Sequence, residues 1–278
     1  MKLCRYGPPG EEKPGLIDGE GRLRDLSRVK SRLTAADLSP DSLAALASID
    51  PDKLPLVDGT PRMGVPYEGI SKFVCIGLNY SDHAAESNLA IPSEPLVFMK
   101  ATTALCGADD EIIMPKGSTK LDWEVELAIV LGTTARYVDE QDALDYVAGY
   151  CIANDVSERA FQMQSSQWDK GKGCDSFGPL GPWLVTKDEI ADPQVLDLWL
   201  EVNDERMQSG NTRDMIFDVP QLISYVSRFM TLLPGDVIST GTPAGVGMGK
   251  RPEPRWLRSG DRVRLGVEGL GVQSQAVV

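Results

Sequence analysis

The chain has 278 residues, 42% of them apolar and 25% charged, which is the balance of a globular protein with one large domain and room for a small appendage. Its formal net charge is −13 and it contains no lysine or arginine run, so nucleic acid is not expected as a partner. No segment approaches the roughly 20 apolar residues of a membrane span, and the opening Met-Lys-Leu-Cys-Arg-Tyr lacks the apolar core of a secretory signal, so a cytoplasmic protein without a membrane partner is expected.

In chain order, Leu3 to Tyr6, Pro14 to Asp18 and Arg22 to Asp25 read as short strands separated by Gly-rich turns. Pro40 to Ile49 reads as a helix, with Ser39 at its cap and Pro40 at its first position. Asp50 to Pro66 is rich in Pro and Gly without periodicity. It serves as a connector, making 1–66 a small N-terminal domain with its linker and 67–278 the main domain. There Phe73 to Gly77 predicts a buried strand and Leu121 to Leu131 a longer one. A helix starts over Asp142 to Val147 and runs toward a strand at Ala148 to Ala153. Further helices are predicted over Ser157 to Trp168 and Val219 to Met230, and strands over Asp236 to Thr240, Arg262 to Val267 and Gly271 to Val278. Strands outnumber helices and no βαβ rhythm appears, so the fold class is α+β, largely β, rather than a doubly wound sheet.

The residue inventory narrows the chemistry. Five scattered cysteines without a Cys-x-x-Cys argue against a disulfide framework or a thiolate zinc site. His83 is the single histidine, which excludes sites needing two imidazoles. A metal bound within one chain must be held mainly by oxygen, which selects magnesium, manganese or calcium.

Several groups of residues can carry function. Strand alternation places Asp122, Glu124 and Glu126 on one face of Leu121 to Val130, opposite Trp123, Val125, Leu127 and Ile129. Either a cation offsets those like charges or the face is solvated. Asp155 either caps the following helix or, with Arg159 and Gln162 at i+4 and i+7, forms a group suited to a small anionic ligand. His83 and Glu86 are three residues apart, so one helical turn lets Glu86 orient the imidazole as a general base; the alternative is a packing histidine. Ser87 to Pro95 is polar and proline-punctuated, as a mobile lid would be. Lys172, in Gly171 to Phe177, is either a counter-charge for developing negative charge or part of a surface loop. Thr240 to Gly247 offers hydroxyls and N–H groups but is not a P-loop, because Ala244 and Arg251 stand where that motif needs Gly and Ser or Thr.

Together and in this order, the segments resemble the fumarylacetoacetate hydrolase superfamily. The matching pieces are Gly77-Leu78-Asn79-Tyr80 with His83 and Glu86, Leu121-Asp122-Trp123-Glu124-Val125-Glu126-Leu127, and Asn154-Asp155-Val156-Ser157-Glu158-Arg159. They continue with Trp168 through Lys172 to Gly178-Pro179-Leu180-Gly181-Pro182, then Asn211-Thr212, Pro234-Gly235-Asp236 and Thr240-Gly241-Thr242-Pro243. The resemblance covers the chain from Ile70 onward and implies a mixed β-sandwich roll, assembled as a homodimer or homotetramer. It implies Mg2+ or Mn2+ held by Glu124, Glu126 and Asp155, a water-activating pair in His83 and Glu86, Lys172 beside the metal, and Arg159, Gln162 and Thr242 on the substrate.

The implied reaction is cleavage of the C3–C4 bond of a 2,4-diketo acid to pyruvate and a carboxylic acid. The full-length wording, including Gly171 to Pro182, is similar to a bacterial branch acting on 2,4-diketo-3-deoxy sugar acids such as the L-rhamnonate or fuconate derivatives. Oxaloacetate decarboxylation and a ureidoglycolate lyase-like activity are the enzymatic alternatives, and a non-catalytic metal- or ligand-binding member is the alternative of another class. An isomerase or decarboxylase of homoprotocatechuate-like breakdown is less expected, because such enzymes usually carry a duplicated domain.

Overall fold

A computed structural model describes residues 1–86 and 90–278 of the chain. The lid expected over Ser87 to Pro95 lies partly outside the described residues. None of the helices described is long and apolar enough to cross a membrane.

The strands are β1 (Lys2–Tyr6), β2 (Lys13–Ile17), β3 (Leu23–Asp25), β4 (Phe73–Gly77), β5 (Leu96–Lys100), β6 (Leu105–Cys106), β7 (Leu121–Asp122), β8 (Val125–Leu131), β9 (Val147–Asn154), β10 (Ser157–Glu158), β11 (Gly178–Thr186), β12 (Asp197–Val202), β13 (Glu205–Asn211), β14 (Val237–Ser239), β15 (Arg262–Val267) and β16 (Gly271–Ala276). The α-helices are α1 (Pro40–Ala47), α2 (Ser81–Glu86), α3 (Arg159–Gln162), α4 (Asp169–Lys172) and α5 (Val219–Ser227). One large sheet runs β3-β2-β1-β11-β9-β8-β14-β4-β5 with β6 beside β11; β13-β12-β15-β16 forms a second sheet, and β7 and β10 pair alone. This is the strand-dominated α+β architecture that the residue pattern indicates.

Strand β8 lies at the centre and is buried on both faces. Leu127, Ile129 and Leu131 pack into a cluster with Leu198, Leu200 and Leu265 of the second sheet and with Leu222 and Ile223 of α5. Ala128 and Val130 point the other way, into a cluster with Leu3, Leu16, Leu33 and Leu38 of the N-terminal segment. The alternation expected for this segment is present, but its acidic face is covered rather than solvated.

Three predicted elements differ in extent. Leu121 to Leu131 is not one strand but breaks at Trp123-Glu124, so that β7 pairs with β10 while β8 pairs with β9 and β14. Asp122 accepts N–H bonds from Trp123, Gly247 and Met248 at 2.8, 2.6 and 3.0 Å, which draws the chain out of the ladder. The helix expected over Ser157 to Trp168 is reduced to α3. Ser157 and Glu158 are used as a strand, and a Glu158 carboxylate oxygen accepts from Ala160 N at 3.0 Å to start the short helix. Asp155 therefore does not share a helix with Arg159 and Gln162. Helix α5 starts as expected, on the capping box of Asp218 and Gln221, but ends at Ser227.

Residues 1–66 continue the main sheet. Strand β1 pairs with β11 at Lys2↔Val185 and Leu3↔Leu184, and α1 starts on Ser39, whose hydroxyl accepts from Ser42 N. Because Leu3 is fully buried in the shared cluster, Leu3→Ala should lower the stability of the whole chain by about 2–5 kcal/mol. Far-UV dichroism and tryptophan fluorescence should move together on denaturation. A separate early transition in one probe would instead mark 1–66 as an independent folding unit.

Candidate active site

The register of β8 against β9 sets Val125 opposite Asn154 and Glu126 opposite Ala153, and Asp155 N–H bonds to Glu124 O at 2.9 Å. Glu124, Glu126 and Asp155 are thereby brought together, with one ligand oxygen from each within 4.8 Å of the others, and all three are buried. Buried charge needs partners. Lys172 Nζ lies 2.6 Å from Glu124 Oε2 and 2.8 Å from Asp155 Oδ2. Arg159 binds Glu124 Oε1 at 2.5 Å and Asp122 Oδ2 at 2.9 Å. Breaking one buried pair of this kind typically costs about 3–5 kcal/mol, against about 1 kcal/mol for an ordinary hydrogen bond, so these cations dominate the local energetics.

The compensation is uneven. Burial raises the Glu124 carboxyl, but Arg159 and Lys172 outweigh it and hold the group well below the usual carboxylate range. Glu126 moves the other way: burial, then the charges of Asp155 and Glu124, push it well above that range. Burial lowers Lys172 and Arg159, and their carboxylate partners more than reverse this. Two oxygens remain under-used. Asp155 Oδ1 is buried and faces Lys100 Nζ at 2.6 Å as an ion pair but receives no well-directed hydrogen bond, while that ammonium also donates to Val156 O and Lys172 O at 3.0 and 2.5 Å. Glu126 Oε2 accepts from Ser239 Oγ and Gly241 N at 2.5 and 3.0 Å, while its Oε1 accepts nothing from a described residue. Crowded carboxylates with spare oxygens and no soft ligand form a set that can hold a hard divalent cation.

His83 sits on α2, buried, with Nδ1 3.5 Å from Glu86 Oε2. Both Glu86 oxygens also accept from Gly245 N, at 3.1 and 3.0 Å. Burial raises the Glu86 carboxyl, but the His83 and Gly245 hydrogen bonds, with the charges of His83 and Lys250, bring it below its ordinary value. The turn from β4 into α2 puts Leu78 at φ 53°, a left-handed conformation that costs a non-glycine residue about 1 kcal/mol.

The side chains that the resemblance assigns to metal, base and substrate lie at or beside one cavity of about 380 Å³. His83, Glu124, Glu126, Arg159, Gln162, Lys172 and Thr242 line it, with Asp155 and Glu86 directly behind. Lys172 belongs to α4 and is buried, which removes the surface-loop reading. Gln162 Oε1 accepts from Arg159 at 3.0 Å, leaving its amide NH2 for a ligand. Thr242 Oγ1 donates to Val125 O at 2.8 Å and accepts from Gln208 at 2.7 Å, so toward a ligand it can act only as an acceptor.

Three contributions were not foreseen. Asp122 does not join the glutamates but anchors Arg159 and the Gly247–Met248 backbone. Lys100 arrives from β5, which lacks a recognisable strand pattern. The stretch from Gly241 to Met248 binds carboxylates through main-chain N–H groups, to Glu126, Glu86 and Asp122 in turn. Gly245 is essential to that path: it has φ +109°, and a Cβ there would lie 2.1 Å from Met207 O.

Comparison with known proteins agrees with this geometry. The family described as fumarylacetoacetate (FAA) hydrolase, C-terminal, matches residues 72–278. A protein of Burkholderia multivorans, provisionally named a hydrolase, is 60% identical over 276 residues, covering 99% of this chain and 98% of its own. A fumarylacetoacetate hydrolase from Exiguobacterium antarcticum superposes with a TM-score of 0.87 at 35% identity, over 100% of this chain and 99% of the other. A maleylpyruvate hydrolase from Sphingobium gives 0.83 at 29%, again over 100% and 99%. A 2-hydroxyhepta-2,4-diene-1,7-dioate isomerase from Mycobacterium marinum gives 0.76 at 33%, over 100% of this chain and 98% of its own. That isomerase is matched as a single copy, so the argument from domain duplication loses its force. With the family match extending from β4 to the last residue and hydrolases of that family superposing end to end, the chain belongs to the fumarylacetoacetate hydrolase family.

Proposed function

We propose that the protein is a divalent-cation-dependent hydrolase that cleaves the C3–C4 bond of a 2,4-dioxo acid, releasing pyruvate and a carboxylic acid. The observation that carries this reading is the buried Glu124, Glu126 and Asp155 cluster opening on the same cavity as a histidine backed by a carboxylate. Mg2+ or Mn2+, when held by those three residues, would supply Lewis acidity at the carbonyl oxygens of a 2-oxo acid.

The chain's own residues account for the rest. His83, oriented by Glu86, takes a proton from water. The water oxygen bonds to C4, the C3–C4 bond breaks, and its electron pair stays on the pyruvate fragment as an enolate. Lys172, which lines the cavity, offers its ammonium to that negative charge, and protonation at C3 completes pyruvate. Arg159 and the Gln162 amide meet the substrate carboxylate. Decarboxylation of oxaloacetate has no need of a water-activating base, so the His83–Glu86 pair favours hydrolysis.

Three outcomes test this. At about a hundredfold excess over its Kd, Mg2+ or Mn2+ should stabilise the fold by about 2.7 kcal/mol. The thermal midpoint should then rise, return on chelation, and fail to respond in Glu126→Gln; no rise in the wild type would remove the cation from the proposal. His83→Ala should lower kcat about 10²–10⁴-fold with the cation-induced shift intact, and steady pyruvate formation by this variant would rule out His83 as the base. Because Glu86 is held below its ordinary value of 4.5, its ionised form stabilises the fold above that pH, and the contribution is lost as pH falls through the depressed value. The wild-type advantage in thermal stability over Glu86→Gln should therefore be full at neutral pH and shrink in acid. A difference that does not depend on pH would show that Glu86 acts through packing.

A further inference from the structure

The cavity has a polar and an apolar part. Besides the acid cluster, its cations, His83, Gln162 and Thr242, the wall includes Ile76, Leu78, Phe98, Met163, Trp168 and Met248. Phe98 and Trp168 meet edge to face, with ring centroids 5.4 Å apart and planes at 66°. The Phe98 ring centre is also 5.1 Å from Lys172 Nζ, so the aromatic wall begins where the charged end stops. The place of Trp168 is built into β4: Gly77 carries no side chain, and a Cβ there would lie 2.4 Å from the indole. Both cations that line the cavity, Arg159 and Lys172, are engaged by Glu124 and Asp155. Among the described residues, the cations that line the cavity are these two, so neither is a free counter-charge for the aromatic end.

We propose, building on the 2,4-dioxo-acid reading, that Phe98 and Trp168 form a tail subsite that selects substrates whose C4 acyl group ends in an apolar substituent and rejects tails ending in a carboxylate. A tail carboxylate would lose its water here and find no free counter-charge, and a terminal hydroxyl would exchange bulk water for at most the single N–H of the Trp168 indole. An alkyl end gains contact with both rings. A 6-deoxy sugar-acid tail, which ends in a methyl group, meets the requirement; one ending in CH2OH does not. The same two rings line an outer groove along β5, so the partition between cavity and groove is one side chain thick.

The test uses the Mg2+-loaded enzyme with three 2,4-dioxo acids of equal length whose tails are propyl, 2-hydroxyethyl and 2-carboxyethyl, with pyruvate release as the readout. The propyl compound should exceed the hydroxyethyl one in kcat/KM by about tenfold, and the carboxyethyl one by more. Trp168→Phe should keep the order and Trp168→Gln should collapse it. Calorimetric binding of 2-oxohexanoate against 2-oxoadipate gives a readout independent of turnover, with 2-oxohexanoate expected to be tighter by about tenfold. Equal cleavage of the three tails, or equal binding of the two oxo acids, would overturn the subsite. Absence of pyruvate from all three, with 2-oxohexanoate still preferred, would overturn the hydrolase reading and leave the subsite standing.

Discussion

A group of carboxylates made up of Asp122, Glu124, Glu126 and Asp155 is buried at and beside the central strand, and the surrounding structure is arranged around the cost of keeping it there. All four are nearly inaccessible. An unpaired charge in that environment would cost several kcal/mol, a sizeable share of the 5–15 kcal/mol by which domains are typically stable. The cost is met in two ways. Arg159, Lys172 and Lys100 contribute full charges. Main-chain N–H groups of the stretch after β14 contribute fixed dipoles, through Gly241 to Glu126 and through Gly247 and Met248 to Asp122. Compensation is least complete at Glu126, which is where a cation has most to offer.

This arrangement also shows how one stretch of chain links His83 to the acid cluster. Main-chain N–H groups of residues 241–248 bind Glu126, then Glu86 and then Asp122, so the carboxylate behind His83 and two of the acid cluster are held by the same backbone. Hydrogen bonds from one backbone path to these carboxylates restrict their rotamers together, the kind of constraint that preorganises a site. The cavity inherits its asymmetry from this layout. Charged groups collect where β8, β9 and α4 converge, and the apolar wall comes from β4, β5 and the turn before α4.

Much of this was legible from residue types and spacing. The 3.6-residue period put His83 and Glu86 together, and the two-residue period separated Glu126 from Leu127 and Ile129. One histidine and no paired cysteines left oxygen as the ligand type. Strand β12, with Leu198, Leu200 and Val202 alternating, could have been read by the same rule. Strand β11 is obscured by its Gly and Pro residues and by a bulge between Gly181 and Val185, and β5 by its lack of alternation.

What the sequence by itself determined is the set of chemical groups and those neighbours that one turn or one strand step brings together, because these depend only on local backbone geometry. Whether the acidic face of β8 is wet or buried depended on residues more than a hundred positions away, since burial is a property of the layers packed against a strand. Asp155, Arg159 and Gln162 do not share a helix face: Arg159 holds Gln162 and Glu124, and the Asp155 carboxylate meets that of Glu124 across Lys172. The continuous helix is absent because pairing of Ser157–Glu158 with Leu121–Asp122 satisfies the backbone there. The roles of Asp122 and Lys100, and the aromatic pair of Phe98 and Trp168, likewise exist only in the tertiary structure. Each depends on a contact between segments far apart in the chain, and no local periodicity encodes such a contact.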